Sequence, residues 1–315
     1  MEEKYNILVT SCGGDIGQSI GKILKNLGHK TFGWDISPNN AARFIFDHFE
    51  TCLKITEPNY LLELNNFIKI NKINIIIPVS EQELRFYTEN KEAVNYIQNA
   101  KLLMADIFVR EIGFDKTKTS LFLKENGLPF PNLYSLENDE NIIFPLIAKP
   151  KTGAGSSNVF IIEDLIELKF IFNKYEDLIL QEMLDGSHGE FTCCVYRSLK
   201  KEVRTIIFKR ELTGGYSGYG EVIENNKIEK LLLDLAKLLD LKGSINVQLR
   251  LHKGKPVIFE INPRFSSTVL FRHLLGFNDL KWSIQDAFYF PISKYKKTKK
   301  GSKFYKGFNE YIENK

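Results

Sequence analysis

A β-hairpin predicted late in the chain carries oxygen-bearing side chains on one of its faces. Its two strands are expected at residues 244–251 and 256–262, where apolar and polar residues alternate. Because successive side chains of a strand point to opposite faces, Gln248 lies on the polar face of the first strand, and Glu260 and Asn262 lie on that of the second. Carboxylate and amide oxygens grouped in this way suit magnesium that is bound together with substrate phosphates.

The connection between the two strands decides which of these residues face each other. A three-residue turn at residues 253–255 would place Gln248 directly across from Glu260. Arg264 follows shortly after the second strand and is spaced to reach a phosphate oxygen. The alternative interpretation is the polar outer face of a half-exposed hairpin, which shows the same alternation.

Two upstream segments carry residue types that contact nucleotides. Lys149 ends a predicted strand and is followed at residues 152–157 by a glycine-rich loop, whose backbone N–H groups can bind phosphate oxygens. A later strand ends at Gln181 and Glu182, which can hydrogen-bond an adenine edge, and the carboxylate of Glu190 can accept ribose hydroxyls. A flexible turn and ordinary surface carboxylates are the alternative interpretations.

The first hundred residues are predicted to form an α/β unit that precedes these motifs. Short apolar runs alternate with helix-like stretches, which is the pattern of a parallel sheet with crossover helices. The predicted strands lie at residues 5–9, 31–34, 52–55, 73–79 and 101–104. After residue 104 the pattern becomes α+β, with helices expected at residues 116–126, 228–239 and 279–290.

The length and composition indicate a folded protein with a nearly neutral body. The chain has 315 residues, enough for about two domains, with 43% hydrophobic and 26% charged residues. Six lysines lie at residues 294–303 and account for the net charge of +4, so we expect no nucleic-acid partner. The cysteines lack zinc-ligand spacing, no apolar run reaches the length of a membrane helix, and no signal peptide is recognised. We therefore expect a cytoplasmic protein with no membrane role.

The order of these motifs resembles that of the ATP-grasp superfamily. The most specific match is residues 245–248 (INVQ) followed by residues 257–264 (VIFEINPR), which are similar to the magnesium and phosphate motif of the carbamoyl phosphate synthetase large subunit and related carboxylate–amine ligases. The resemblance implies an α/β and α+β protein, with an N-terminal Rossmann-like parallel-sheet domain followed by an ATP-grasp domain of two α+β subdomains. The expected boundaries are residues 1–104 and 105–315, with a smaller lid subdomain near residues 119–184.

The same resemblance implies a role for each residue of the site. Lys116 and Lys149 would contact the nucleotide, Glu190 would bind the ribose, and Arg210 and Arg264 would be the catalytic residues that act on the transferred phosphate. The other expected site residues are Gly153, Gly155, Ser156 and Ser157 in the phosphate loop, Gln181, Glu182, Met183 and Leu184 in the adenine hinge, and Gln248, Glu260 and Asn262 at the metal.

The implied activity is ATP-dependent carboxylate–amine ligation. A substrate carboxylate would attack the γ-phosphorus of ATP to form an acylphosphate, and an amine would then displace phosphate to form an amide or peptide bond. ATP and Mg²⁺ are the expected cofactors, with Mn²⁺ as a substitute, and a small-molecule carboxylate and amine are the expected substrates. Arg272 is expected to lie near the acceptor and to pair with a carboxylate, and base rates favour a homodimer.

Two other functions fit parts of the sequence. Gly13, Gly14 and Gly17 follow the first strand and Asp35 follows the second, which is the pattern of a nicotinamide dinucleotide site. This pattern favours an NAD(P)-dependent sugar-modifying oxidoreductase or epimerase, but it leaves the polar face of the hairpin unexplained. A non-catalytic nucleotide-binding module would keep the same nucleotide-binding residues.

Overall fold

A parallel sheet forms the N-terminal region of the chain. The computed structural model describes residues 3–135, 142–153, 158–307 and 309–312. The strands of this sheet are β1 (Asn6–Thr10), β2 (Lys30–Asp35), β3 (His48–Thr51), β4 (Ile75–Pro78) and β5 (Lys101–Leu102), paired in the order β3–β2–β1–β4–β5. The helices are α1 (Asp15–Asn26), α2 (Tyr60–Asn71), α3 (Glu81–Glu89) and α4 (Lys91–Tyr96). The strand order reverses direction at β1, which opens a crevice at the carboxyl ends of β1 and β4.

One predicted strand of this sheet is displaced. The sequence predicts the third strand at residues 52–55, whereas β3 ends at Thr51. β3 is an edge strand whose side chains are mostly exposed, so its sequence carries no apolar signal. The apolar run that follows it packs against the core instead, and Ile55 contributes a buried side chain there.

A small antiparallel sheet follows two helices, α5 (Ile107–Gly113) and α6 (Lys116–Glu125). Its strands are β6 (Leu133–Tyr134), β7 (Leu146–Pro150), β8 (Phe160–Ile162) and β9 (Leu178–Glu182), paired in the order β6–β9–β7–β8. The helix α7 (Leu165–Lys174) closes one face and buries Leu168 against Leu146 and Leu180. This sheet is the smaller α+β unit that the sequence predicts.

A six-stranded sheet forms the larger α+β unit. Its strands are β10 (Glu190–Arg197), β11 (Val203–Thr213), β12 (Tyr216–Val222), β13 (Gly243–His252), β14 (Lys255–Asn262) and β15 (Lys303–Tyr305), in the order β14–β13–β10–β11–β12–β15. Its helices are α8 (Asn226–Leu238), α9 (Val269–Leu274) and α10 (Asp279–Ala287). One face of the sheet packs on α8, while part of the other face packs against Phe277 and Trp282. The remainder of that second face is open and carries the polar residues of the predicted site.

The predicted fold class is confirmed by this architecture. The boundary between the two domains, after residue 104, stays a prediction. The same holds for the limits 119–184 of the smaller subdomain. None of the helices in the described ranges has both the length and the apolar character needed to cross a membrane.

Candidate active site

The β13–β14 hairpin brings the predicted metal ligands together. Gln248 pairs directly with Glu260, and Asn246 pairs with Asn262. Directly paired residues of an antiparallel ladder share one face, so these side chains project from the same side of the sheet. The predicted pairing of Gln248 with Glu260 is therefore confirmed.

The register arises in a different way from the one that the sequence predicts. The turn contains two residues, Lys253 and Gly254, with φ angles of 50° and 72°, the left-handed region that a two-residue type I′ turn requires. The predicted three-residue turn is therefore wrong. A β-bulge restores the register, because the pairing shifts between Gln248 and Leu249 and leaves Phe259 as the extra residue.

The hairpin offers a cation one carboxylate and two amide oxygens. The Oε1 atom of Glu260 accepts a hydrogen bond from Nδ2 of Asn262 at 2.9 Å, and Oε1 of Gln248 accepts one from Nη2 of Arg210 at 2.9 Å. Hard oxygen donors fit Mg²⁺, and their low total charge fits an ion that phosphate oxygens also hold. Within the described ranges, no group of three or more His, Cys, Asp or Glu residues could hold a metal ion. The hydrogen bond from Arg210 uses one of the two lone pairs of the Gln248 amide oxygen, so one lone pair is left for a cation.

Cationic side chains lie beside this hairpin face. The Nζ atom of Lys149 lies 3.4 Å from the carbonyl oxygen of Phe259, and Nζ of Lys116 donates to the carbonyl oxygen of Gly153 at 2.9 Å. Burial lowers the pKa of Lys149 to about 8, and it also lowers the pKa values of Lys116 and Arg264. Poorly solvated cations of this kind gain from an anionic partner, as a polyphosphate would be.

Gly153, at the start of the glycine-rich loop, contacts helices α3 and α6. Gly153 has a φ of 99°, which favours glycine, and its N–H donates to Oε1 of Glu81 in α3 at 3.1 Å. The predicted loop residues Gly155, Ser156 and Ser157 lie outside the described residues. The backbone at the start of the loop is therefore held on both sides of Gly153: its N–H donates to Glu81, and its carbonyl oxygen accepts from Lys116.

The segment predicted as the adenine hinge begins at the end of β9. Its first two side chains, Gln181 and Glu182, form hydrogen bonds with other residues of the protein. Nε2 of Gln181 donates to Oγ of Ser120 at 3.2 Å, and Oε2 of Glu182 accepts from Nδ2 of Asn132 at 3.0 Å. Gln181, Glu182 and Leu184 line the cavity beside the hairpin, whereas Met183 does not. The polar side chains of Gln181 and Glu182 are therefore already hydrogen-bonded within the protein.

Glu190, the carboxylate that the sequence analysis assigns to the ribose, forms an ion pair with Arg210. Oε1 of Glu190 accepts from Nε and Nη2 of Arg210 at 3.1 and 2.5 Å, and Nη1 of the same arginine lies 3.3 Å from Oγ of Ser217. With its further bond to Gln248, Arg210 spans the predicted ribose and metal positions. These four hydrogen bonds use four of the five N–H donors of Arg210, which leaves one donor on Nη1 for its predicted action on the transferred phosphate.

One cavity connects the hairpin face with the N-terminal sheet. It has a volume of about 1090 Å³ and reaches from Gln248 and Glu260 to Thr10, Ser80 and Glu83. The far end lies at the carboxyl edge of β1 and β4, where open parallel sheets bind ligands. The cavity is therefore large enough to hold a nucleotide together with a second small molecule.

Comparison with protein families identifies both halves of the chain. A model described as "ATP-grasp domain" matches residues 114–268, the range that contains the two antiparallel sheets and the hairpin. Residues 114–268 belong to the ATP-grasp superfamily. A model described as "PylC-like, N-terminal domain" matches residues 7–99, the range of the parallel sheet. The predicted superfamily is thereby confirmed.

Individual relatives of this ATP-grasp chain are distant. The carbamoyl phosphate synthase large chain of Helicobacter pylori is 26% identical over 307 residues, which cover 86% of this chain and 27% of the relative. A structure of an ADP complex of N5-carboxyaminoimidazole ribonucleotide synthetase matches with a TM-score of 0.75 and 15% identity, over 96% of this chain and 81% of the other. An L-amino acid ligase from Bacillus licheniformis matches with a TM-score of 0.68 and 21% identity, over 91% and 75%. The chain thus spans about a quarter of the length of that synthase chain and shares its fold with the two solved structures.

The structure does not favour the dinucleotide site that the N-terminal glycines suggested. Asp35, the expected ribose ligand, accepts from the N–H groups of Gly13 and Ser37 at 2.8 and 3.0 Å. Gly17 has a packing role, because a Cβ atom there would lie 2.5 Å from Cα of Cys12. These residues shape the first loop of the ATP-grasp chain's N-terminal sheet.

Arg272 does not serve the acceptor in the way that the sequence predicts. It is 1% exposed, and its guanidinium bonds Oδ1 and Oδ2 of Asp279 at 3.2 and 2.8 Å, as well as Oγ of Ser266. A buried charge needs such a partner, so this arginine is committed to the core. The expected contact between Arg272 and a substrate carboxylate is therefore wrong.

Glu83 is a cavity residue that the sequence analysis missed. It is 2% exposed, and its two carboxylate oxygens accept from Oγ1 of Thr10 at 2.6 Å and from the Tyr60 hydroxyl at 2.8 Å. In the sequence it has the position of a capping-box glutamate, three residues after the N-cap Ser80. Its side chain instead turns inward, and burial raises its pKa to about 7.

We expect Glu83→Gln to stabilise the protein at pH 8. The folded protein keeps the Glu83 proton up to a pKa of about 7, whereas an unfolded glutamate loses it near 4.5. The folded state therefore binds more protons between these values, and the free energy of unfolding falls as the pH rises through the window. Denaturant unfolding at pH 5 and pH 8 should show that the variant lacks this fall, which amounts to at most about 3 kcal/mol. The exposed Glu89→Gln serves as control, and an unchanged pH dependence in Glu83→Gln would contradict the assignment.

Proposed function

We propose that this protein is an ATP-dependent carboxylate–amine ligase that forms an amide or peptide bond and releases ADP and phosphate. One observation supports the proposal most directly: a single cavity is lined by the oxygen donors of the hairpin, by the buried lysines and by the carboxyl edge of the N-terminal sheet. Both reactants can therefore lie next to each other in one cavity. The similarity to proteins named as ligases and synthetases fits this activity.

The chemistry requires positioning and charge neutralisation from the protein. A carboxylate oxygen of the substrate attacks the γ-phosphorus of ATP, the bond to the β–γ bridging oxygen breaks, and ADP leaves with that electron pair. The amine then attacks the acyl carbon, loses a proton and expels phosphate. Lys116, Lys149 and Arg264 line the cavity and would hold phosphate oxygens. Gln248, Glu260 and Asn262 would hold Mg²⁺, which neutralises charge on the phosphates when bound.

The test is an analysis of nucleotide products. The protein is incubated with ATP, Mg²⁺ and pooled amino acids and sugar acids, and the products are separated by mass spectrometry. The expected result is ADP together with a new amide mass, which also names the carboxylate and the amine. AMP as the product, or nucleotide binding without turnover on any pool, would contradict the proposal. The identities of the substrates, the use of Mn²⁺ and the homodimer stay predictions.

A further inference from the structure

Three charged side chains form a row across the middle of the large sheet. β10 pairs with β11 on one side and with β13 on the other, and Glu190 stands directly across from Arg210 and from Arg250. Nη2 of Arg250 donates to Oε2 of Glu190 at 3.1 Å, while Arg210 bonds Oε1. Each oxygen of the carboxylate is therefore held by a guanidinium group from a different neighbouring strand.

Arg250 also reaches the segment that leaves β9. Its Nη1 atom donates to the carbonyl oxygen of Leu184 at 3.3 Å. The next residue of β13 on the same face, His252, accepts a hydrogen bond at Nδ1 from the N–H of Asp185 at 3.0 Å. The end of β13 thus holds the backbone at Leu184, the last residue of the predicted hinge, and at Asp185, which follows it. Of Arg250 and His252, Arg250 also bonds Glu190.

The bonds to Glu190 leave little freedom for the carboxylate. A carboxylate accepts about four hydrogen bonds, and Arg210 and Arg250 together donate three to Glu190. The remaining acceptor position has its direction set by these donors. Arginine suits this task because its planar fork can donate to two partners in fixed directions, which the single ammonium of lysine cannot do.

We propose that Arg250 is the positioning residue for the nucleoside half of the bound nucleotide. It fixes the acceptor position on Glu190 that receives a ribose hydroxyl, and it fixes that position relative to the backbone at Leu184, where the base lies. The inference rests on the proposed function, since it takes the cavity to bind ATP. Both of its hydrogen-bond partners, the Glu190 carboxylate and the Leu184 carbonyl oxygen, belong to the part of the site that is predicted to bind the nucleoside.

The test compares Arg250→Met and Arg250→Lys with the unaltered protein. Calorimetry measures the affinity for ATP and for its 2′- and 3′-deoxy analogues, each with Mg²⁺. We expect Arg250→Met to weaken ATP binding about tenfold, the value of one lost charge-assisted bond. The affinity ratio between ATP and the more weakly bound deoxy analogue should shrink, because the variant no longer directs Glu190 at the hydroxyl. Arg250→Lys should restore part of this affinity ratio, because a lysine can still donate a hydrogen bond to Glu190.

A control and a stability measurement separate positioning from a structural role. Lys255→Met removes an exposed cation of the same hairpin and should leave both affinity and ratio unchanged. Thermal unfolding should show Arg250→Met folded with a midpoint close to that of the control. Unchanged ATP affinity in Arg250→Met, or equal losses for ATP and both analogues, would overturn the inference. Absence of ATP binding to the unaltered protein would instead overturn the proposed function.

Discussion

Glu260→Gln is expected to abolish magnesium-dependent turnover, with a loss of about a thousandfold or more in kcat. Glu260 is the only carboxylate among the predicted metal ligands, and Gln248 and Asn262 contribute neutral amides. A glutamine at this position keeps an oxygen that can accept from Nδ2 of Asn262, so the hairpin should fold as before. The lost charge weakens the hold on the cation and removes the anion that faces Lys149. ADP release at saturating ATP and varied Mg²⁺ measures the effect.

The matched control for this variant is Glu224→Gln, which removes an exposed carboxylate away from the cavity. It should turn over at the rate of the unaltered protein. Retention of more than a tenth of the activity by Glu260→Gln, with an unchanged Mg²⁺ dependence, would show that the hairpin face is not the metal site.

Lys149→Met is expected to lower kcat/KM for ATP by two to three orders of magnitude, in the range of about 10²–10³ for one buried electrostatic contact. Lys149 is 8% exposed, and its ammonium lies over the ring of Phe259 close to Glu260. Under the proposed function, a phosphate oxygen of ATP would be the anionic ligand of this cation. The control is Lys151→Met, two residues along the chain, which removes a half-buried lysine that does not line the cavity and should bind ATP normally.

The pH dependence gives a second readout for Lys149. Burial lowers its pKa to about 8 from an ordinary value of 10.5, so the free protein loses this proton as the pH rises through 8. Phosphate binding needs the charged form, and the ATP affinity of the unaltered protein should therefore fall by up to about tenfold per pH unit above 8. The ATP affinity of Lys149→Met should not show this fall above pH 8. An unaltered protein whose affinity is flat from pH 7 to pH 9 would contradict the assignment.

The free energy of unfolding of the ligand-free protein should depend on pH with the opposite sign. The unfolded chain keeps the Lys149 proton up to a pKa near 10.5, so between about pH 8 and that value it binds more protons than the folded state does. The contribution of this group to the free energy of unfolding consequently rises with pH in this window. If ATP affinity falls while stability rises with pH, the fall in affinity arises from deprotonation of Lys149 and not from a general loss of structure at alkaline pH.

Local patterns in the sequence determined the elements and the face of the hairpin. Alternation is a property of any strand, so the polar side of residues 256–262 could be recognised without knowing its partner. The same holds for the alternation of apolar runs and helices that predicts the parallel sheet. The edge strand β3 was misplaced because its exposed side chains carry no such pattern.

Only the tertiary structure decided which distant residues share the site. Glu190 lies between Arg210 and Arg250 because β10 pairs with both β11 and β13, and no local pattern encodes that strand order. Burial decided two further outcomes: Arg272 is tied to Asp279 in the core, and Glu83 turns into the cavity instead of capping its helix. The sequence alone thus determined which residue types could bind phosphate and metal. Long-range strand pairing and burial determined which of them are free to do so, because both depend on contacts between segments far apart in the chain.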